Sequence, residues 1–178
     1  GEIRQWPVPV QSLTNHSGDP LVFQTSDSIK CLSAKKYQGT AIDCIRFAQG
    51  HVLSKSMAGR IEYWNLDTKE PIRSINVRSH GVMVSRFDVS YDDSYLCVGN
   101  SRGAVYIYSI ETGKMLRHLT HKRSVKPVTC CAFSRDCRSV LYAGEGGFIW
   151  RYDYVDDETL AEWEKGSDSE AGDSSSEE

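Results

Sequence analysis

Leu53-Ser-Lys-Ser-Met-Ala-Gly59-Arg-Ile61-Glu-Tyr63-Trp64 is written almost a second time as Cys97-Val-Gly-Asn-Ser-Arg-Gly103-Ala-Val105-Tyr-Ile107-Tyr108. Gly59 and Gly103 stand 44 positions apart, as do Trp64 and Tyr108. A third copy, Leu141-Tyr-Ala-Gly-Glu-Gly-Gly147-Phe-Ile-Trp150, reads with Trp150 as its closing aromatic, 42 positions after Tyr108, and with a slightly shorter turn. A period of about 40–45 residues, built from short strands with glycine in the turn and an aromatic closing the strand, is the signature of propeller blades. Such a period points to a docking surface before it points to a catalyst.

Outward from these copies, three apolar, β-favouring runs open the repeats: Ala41-Ile-Asp-Cys-Ile-Arg-Phe47, Val82-Met-Val-Ser-Arg-Phe-Asp-Val89 and Val128-Thr-Cys-Cys-Ala-Phe133. In a propeller these opening strands line the central channel, and the strands ending at Trp64, Tyr108 and Trp150 lie further out. Arg46 and Arg86 are read as equivalent positions, each ahead of a phenylalanine, Phe47 and Phe87. Asp92-Asp93 and Arg135-Asp136 mark the first hairpin of the later repeats, and Asn65-Leu-Asp67-Thr68 matches Ser109-Ile-Glu111-Thr112-Gly113 as a turn into a fourth strand. Gly1-Glu-Ile3-Arg-Gln5-Trp6 has the spacing of Gly59 to Trp64, so the chain is expected to open inside a third strand. The expected division is 1–6 as the end of a preceding blade, 7–40 as a long connection, 41–79 and 80–124 as repeats, 125–155 as a last, incomplete repeat, and 156–178 as an acidic, serine-rich disordered tail. The fold class is therefore all-β, a partial propeller of about three blades plus a blade remnant.

Charge divides along the same line. The chain carries a formal charge of −3, yet residues 156–178 hold ten acids against Lys165 alone, leaving 14 acids and 20 bases in the preceding 155 residues. A weakly basic body thus ends in an acidic segment whose serines, followed by acids, suit an acidophilic kinase. No apolar run approaches the roughly 18 residues of a membrane helix, so no membrane partner is expected. The six cysteines, Cys31, Cys44, Cys97, Cys130, Cys131 and Cys137, include no Cys-x-x-Cys pair and no histidine at zinc-finger spacing, and read as reduced structural thiols. There is no nucleophile elbow, phosphate loop or metal-spaced histidine set, so no catalytic residue, metal ligand or cofactor is assigned. The basic run from Arg117 to Lys126 lacks interleaved aromatics, and direct nucleic-acid binding is not expected.

Particular strings go beyond the generic repeat. Ile42-Asp43-Cys44-Ile45-Arg46-Phe47 with Leu53-Ser54-Lys55-Ser56 and Trp64, Arg86-Phe87 with Val98-Gly99-Asn100 and Gly103, and Phe133-Ser134-Arg135-Asp136 with Ile149-Trp150-Arg151-Tyr152-Asp153 together resemble the C-terminal half of the Extra sex combs/EED family. That resemblance implies a seven-bladed, nuclear WD-repeat subunit of Polycomb repressive complex 2. It would hold a histone lysine methyltransferase subunit on one side and a trimethyl-lysine histone tail at the opposite mouth of the channel, gripped by an aromatic cage through cation–π attraction. The Trp-Tyr pair this half would give to the cage is replaced by Met83 and Val84, and an arginine near the bound peptide is replaced by Thr129. Met83, Val84, Arg86 and Thr129 are the candidate channel-mouth contacts.

Two other classes share the propeller. A ubiquitin-ligase substrate receptor would carry Trp-Asp-x-Arg after the third strand, which Trp64-Asn-Leu-Asp, Tyr108-Ser-Ile-Glu and Trp150-Arg-Tyr-Asp all lack. An adaptor related to the origin-complex-associated leucine-rich-repeat and WD-repeat protein would be told apart by leucine-rich repeats ahead of the blades.

Overall fold

The computed structural model describes residues 3–6, 29–30, 40–77 and 83–162. Valine, isoleucine and tyrosine fill its strands and turn residues punctuate them, and the described residues form antiparallel meanders. The first four-stranded sheet holds β3 (Ile42–Ala48), β4 (His51–Ser56), β5 (Arg60–Trp64) and β6 (Pro71–Asn76) in sequence order. The second holds β7 (Asp88–Val89), β8 (Tyr95–Gly99), β9 (Val105–Ser109) and β10 (Met115–Leu119), and the third holds β11 (Val128–Phe133), β12 (Ser139–Gly144) and β13 (Ile149–Asp153). Ahead of them β1 (Arg4–Gln5) pairs with β2 (Ile29–Lys30), so part of the stretch expected as a connection runs antiparallel to the opening residues. The described residues are all-β apart from a short helix, α1 (157–162), and have the fold of a partial WD-repeat propeller. Asp156 caps α1 by accepting the Thr159 N–H at 2.8 Å, so α1 falls inside the 156–178 segment expected to be disordered; residues 163–178 of that segment lie outside the described residues.

The strand register corrects the repeat phase. Val52 pairs with Trp64, Leu96 with Tyr108 and Val140 with Tyr152, each pair 44 positions from the next. The aromatic closing the third copy is therefore Tyr152 and not Trp150, and Gly59, Gly103 and Gly147, all in the left-handed region (φ 81, 83 and 74°), keep one spacing throughout. What shortened was the first hairpin: Phe47 pairs with Val52 across a two-residue turn at Gln49-Gly50, whereas Val89 pairs with Leu96 and Phe133 with Val140 across longer loops. Gln49 and Gly50 both have positive φ, as the primed hairpin turn demands. In the longer loops Ser90 and Ser134 each donate to an aspartate two residues on, Asp92 and Asp136, and each accepts the N–H of the residue that opens the next strand.

Arg46 is then equivalent to Asp88 and Ala132, not to Arg86, which shares its place with Cys44 and Cys130. The run expected as a strand from Val82 to Val89 also shrinks. Val82 lies outside the described residues, only Asp88–Val89 is strand, and Arg86 makes an isolated parallel bridge to Cys130. The cause is a change of partner: the Met83 N–H donates to the Met57 carbonyl (3.2 Å), Ser85 N–H to Asp43 Oδ2 (3.1 Å) and Arg86 N–H to the Thr129 carbonyl (2.8 Å), so this backbone is satisfied by the sheets on either side.

Alternation along each strand gives the second sheet one face toward the first and one toward the third. Leu53, Ile61, Tyr63 and Ile75 of the first sheet pack on Phe87, Leu96, Val98, Tyr106 and Tyr108 of the second. Cys97 and Val105, on the opposite face of the second, meet Val128, Cys131, Val140 and Tyr142 of the third. Val52 and Trp64 pack with Ile3 and Leu66, and the Trp64 Nε1–H donates to Ser54 Oγ at 2.9 Å. Each such aliphatic side chain contributes about 1.5–3 kcal/mol on full burial.

Candidate functional site

The turns at Gly59, Gly103 and Gly147 lie at one end of the sheets, and the candidate channel-mouth residues sit beside them. Met83 is partly buried against Met57 of the first turn, Val84 is 55 % exposed, and Ser85 between them is buried. Arg86 is exposed and Thr129 partly buried, joined through their backbones, so the structure brings these two together across the second and third sheets. Met83 and Val84 present dispersion surface and no aromatic face.

Beneath this end lies a charge pair that the sequence reading passed over. Lys55 and Asp43 are almost wholly buried, with Lys55 Nζ 2.7 Å from Asp43 Oδ2, which also accepts the Ser85 N–H; Asp43 Oδ1 is buried without a hydrogen-bond partner. The pair ties β3 to β4 and to the segment leading into β7, so it fixes where Val84 and Arg86 emerge. Lys55 belongs to the quoted Leu-Ser-Lys-Ser string, and its place two positions after core-facing Leu53, on the same face of β4, was the available signal. Further along, Asp88 joins all three sheets: it accepts Arg46 Nε–H (3.3 Å) through Oδ1 and the Phe133 N–H (3.0 Å) through Oδ2. The register error over Arg46 and Arg86 is what hid this link.

Cys44, Cys97 and Cys131 are buried thiols, whereas Cys130 is exposed. Burial pushes the Cys44 thiol up, against the opposing pull of Arg46, and burial together with neighbouring Cys131 pushes Cys97 well up, so neither is a ready nucleophile. Among the described residues no three His, Cys, Asp or Glu side chains gather as metal ligands would.

The third glycine turn differs from the other two. Equivalent positions hold Ser56, Asn100 and Gly144. Asn100 Oδ1 accepts the N–H groups of Arg102 and Ala104, both at 2.9 Å, and Ser56 Oγ accepts the Arg60 N–H at 3.3 Å. Gly144 offers no side chain, and a Cβ there would lie 2.0 Å from the Pro127 carbonyl oxygen, so the approach of the loop before β11 excludes a cap. A cleft of about 310 Å³ lies beside this turn, lined by Tyr142, Phe148 and Trp150 on one side and Arg123 and Lys126 on the other, with Glu145 as its acid. His121 packs on Trp150 at a ring separation of 4.7 Å. The sequence reading took Trp150 as a strand-closing aromatic and the run from Arg117 to Lys126 as lacking interleaved aromatics; the fold sets Trp150 and Phe148 beside Arg123 and Lys126.

Comparison with known proteins places this geometry. A family model described as the anaphase-promoting complex subunit 4 WD40 domain matches residues 64–136. Polycomb group protein FIE2 of Zea mays is 28 % identical over 126 residues, 65 % of this chain and 33 % of that protein. The chain is similar to the Polycomb group proteins. A FIE1 protein of Oryza sativa subsp. japonica is 25 % identical over 162 residues, 85 % of the chain and 43 % of its own length, and Polycomb protein esc of Drosophila melanogaster is 25 % identical over 163 residues, 82 % of the chain and 36 % of its own length. The resemblance read from the strings around Leu53, Phe133 and Trp150 is borne out, and the chain spans about a third to two fifths of the length of these relatives.

Proposed function

We propose that this chain is part of a non-enzymatic, nuclear WD-repeat scaffold that holds a histone lysine methyltransferase in a Polycomb-type complex and so supports histone methylation and transcriptional repression. The observation that carries the reading is the similarity to Polycomb group proteins across as much as 86 % of the chain, coupled with the structural use of the shared strings: Lys55 closes the buried pair, Ser54 satisfies Trp64, and Ser134 with Asp136 closes a hairpin. These residues build a scaffold and no catalyst. A propeller offers separate loop surfaces at its two ends, and binding energy is concentrated in a few anchors, so a partner on one side does not depend on the other. On this reading Met83, Val84, Arg86 and Thr129 touch a peptide at the glycine-turn end without forming a methyl-lysine cage, because neither Met83 nor Val84 supplies a π face.

The test is affinity purification of the full-length gene product from nuclear extract, with Trp64→Ala as a folding-defective control, since Trp64 is buried and its indole N–H is bonded to Ser54. A histone lysine methyltransferase is expected among the partners of the wild type and absent from the control. Recovery of origin-recognition or ubiquitin-ligase subunits without a methyltransferase overturns the reading.

A further inference from the structure

The cleft beside the third glycine turn combines an apolar floor with a cationic wall that carries more positive charge than its one acid, Glu145. Among the described residues none of the ion pairs uses Lys122, Arg123 or Lys126, all of which are exposed. Phe148 and Val125 at the rim are 66 % and 64 % exposed. In the second sheet the corresponding turn is closed: the Ser124 carbonyl presses on Gly103, Ser124 Oγ–H donates to the Gly103 carbonyl at 2.8 Å, and Asn100 fills the turn. At Gly147 a Cβ would meet nothing within 4 Å. The open turn thus has room for a chain segment where its counterpart has none, and its wall calls for an anion.

We propose that this cleft docks the chain's own acidic, serine-rich segment, residues 163–178. Three things on the molecule fit that occupant. The segment carries Glu164, Asp168, Glu170, Asp173, Glu177 and Glu178 against Lys165 alone, complementary to Arg123 and Lys126 of the lining, which outweigh its single Glu145, and to exposed Lys122 next to Arg123 in the chain. Arg123 offers a planar fork that matches a carboxylate with two parallel hydrogen bonds. Reach is ample: sixteen residues extend to about 50 Å, whereas the stretch between the cleft and residue 163, laid end to end, is about 17 Å for β13, about 10 Å for 154–156 and about 9 Å for α1. Tethering also raises the local concentration of the segment to the millimolar range, so weak, solvent-screened contacts suffice. A segment held this way shields the cleft from acidic partners in trans.

The experiment is zero-length carbodiimide cross-linking of the full chain at about 1 µM, with isotope-labelled and unlabelled protein mixed so that links within and between molecules are told apart by mass. The expected result is amide bonds from carboxylates of 164–178 to Lys122 or Lys126 within one molecule. Their yield is expected to fall about fivefold in Arg123→Glu, whose exposed position leaves the melting temperature unchanged, and again when salt is raised from about 50 mM to about 500 mM. Links made equally to Lys69 and Lys114, links found only between molecules, or no links at all overturn the proposal, the second of these pointing to another copy of the chain as the occupant.

Discussion

Among the described residues the second sheet is walled on both faces and the third on one, and equivalent positions show what that difference does. Cys97 and Val105 of the second sheet are fully buried; Leu141 and Ile149, one repeat later on the same face, are 39 % and 77 % exposed. The exposed pair is the more apolar of the two. Burial at these positions is set by the neighbouring sheet and not by the residue: on the outer face of β11–β13, Leu141 and Ile149 stand where the second sheet has Cys97 and Val105, and the face turns polar further along, where Ser139, Arg151 and Asp153 are joined. The seams differ too. First and second sheets are joined by a large apolar cluster, by the Asp43–Lys55 pair through the Ser85 N–H and by Arg46 with Asp88; second and third by a smaller cluster and by hydrogen bonds from Arg86, Val128, Phe133 and Cys131.

The harshest way to break the stronger seam is Lys55→Met. It leaves the Asp43 carboxylate buried beside Ser85 with no counter-charge, and losing one partner of a buried pair costs about 3–5 kcal/mol. Urea denaturation should show that loss, and the double change Asp43→Asn/Lys55→Met should recover a good part of it, because the amide oxygen still accepts the Ser85 N–H and no charge remains. A cost below about 1 kcal/mol for the single change would mean that the pair is solvated and the seam is apolar alone.

A second pair of changes sharpens the contrast between covered and bare faces. Val105→Ala removes buried methyl groups between the second and third sheets and should cost about 2 kcal/mol, whereas Ile149→Ala, the larger truncation at the equivalent position, should stay within about 0.5 kcal/mol. Equal costs in the two denaturation midpoints would show that a second copy of the chain covers the third sheet in solution.

The repeat was legible because propeller sheets are local: each glycine turn, hairpin and closing aromatic is fixed within about forty residues, and Gly59, Gly103 and Gly147 announce the period before any contact is known. The phase was not fully legible. Trp150 outweighs Tyr152 as a sequence landmark, and Arg46-Phe47 mimics Arg86-Phe87, but a hairpin two residues shorter at Gln49-Gly50 shifts the first repeat and only cross-strand pairing reveals it. The buried Lys55 was hidden by its type, since lysine is rarely buried unless paired and its partner lies on the adjacent strand. Likewise the cleft needs residues 123–126 from the loop before β11 and residues 142–150 from a later hairpin, which no single stretch of sequence brings together.

The smallest expected effect probes the covered face of the third sheet. Tyr152 lies against Tyr142 with rings nearly parallel at 5.9 Å, and its hydroxyl is buried without a hydrogen-bond partner. Burial first, then the adjacent Tyr142 phenol, pushes its pKa up to about 12. The folded chain therefore favours the neutral phenol. Its share of stability is complete below the ordinary tyrosine value near 10 and is lost as pH rises from about 10 to about 12. Tyr152→Phe keeps the ring and removes the titration, so wild type and variant should melt within a degree or so of each other at pH 8. The variant should be the more stable at pH 11, by less than about 1 kcal/mol because Tyr152 is only partly buried and solvent screens the effect. Tyr154, two residues on and 70 % exposed, is the control whose change to phenylalanine should leave the pH dependence alone. A wild-type/Tyr152→Phe difference that stays constant from pH 8 to pH 11 would mean that β13 is solvated on both faces and that the third sheet does not pack on the second through its tyrosines.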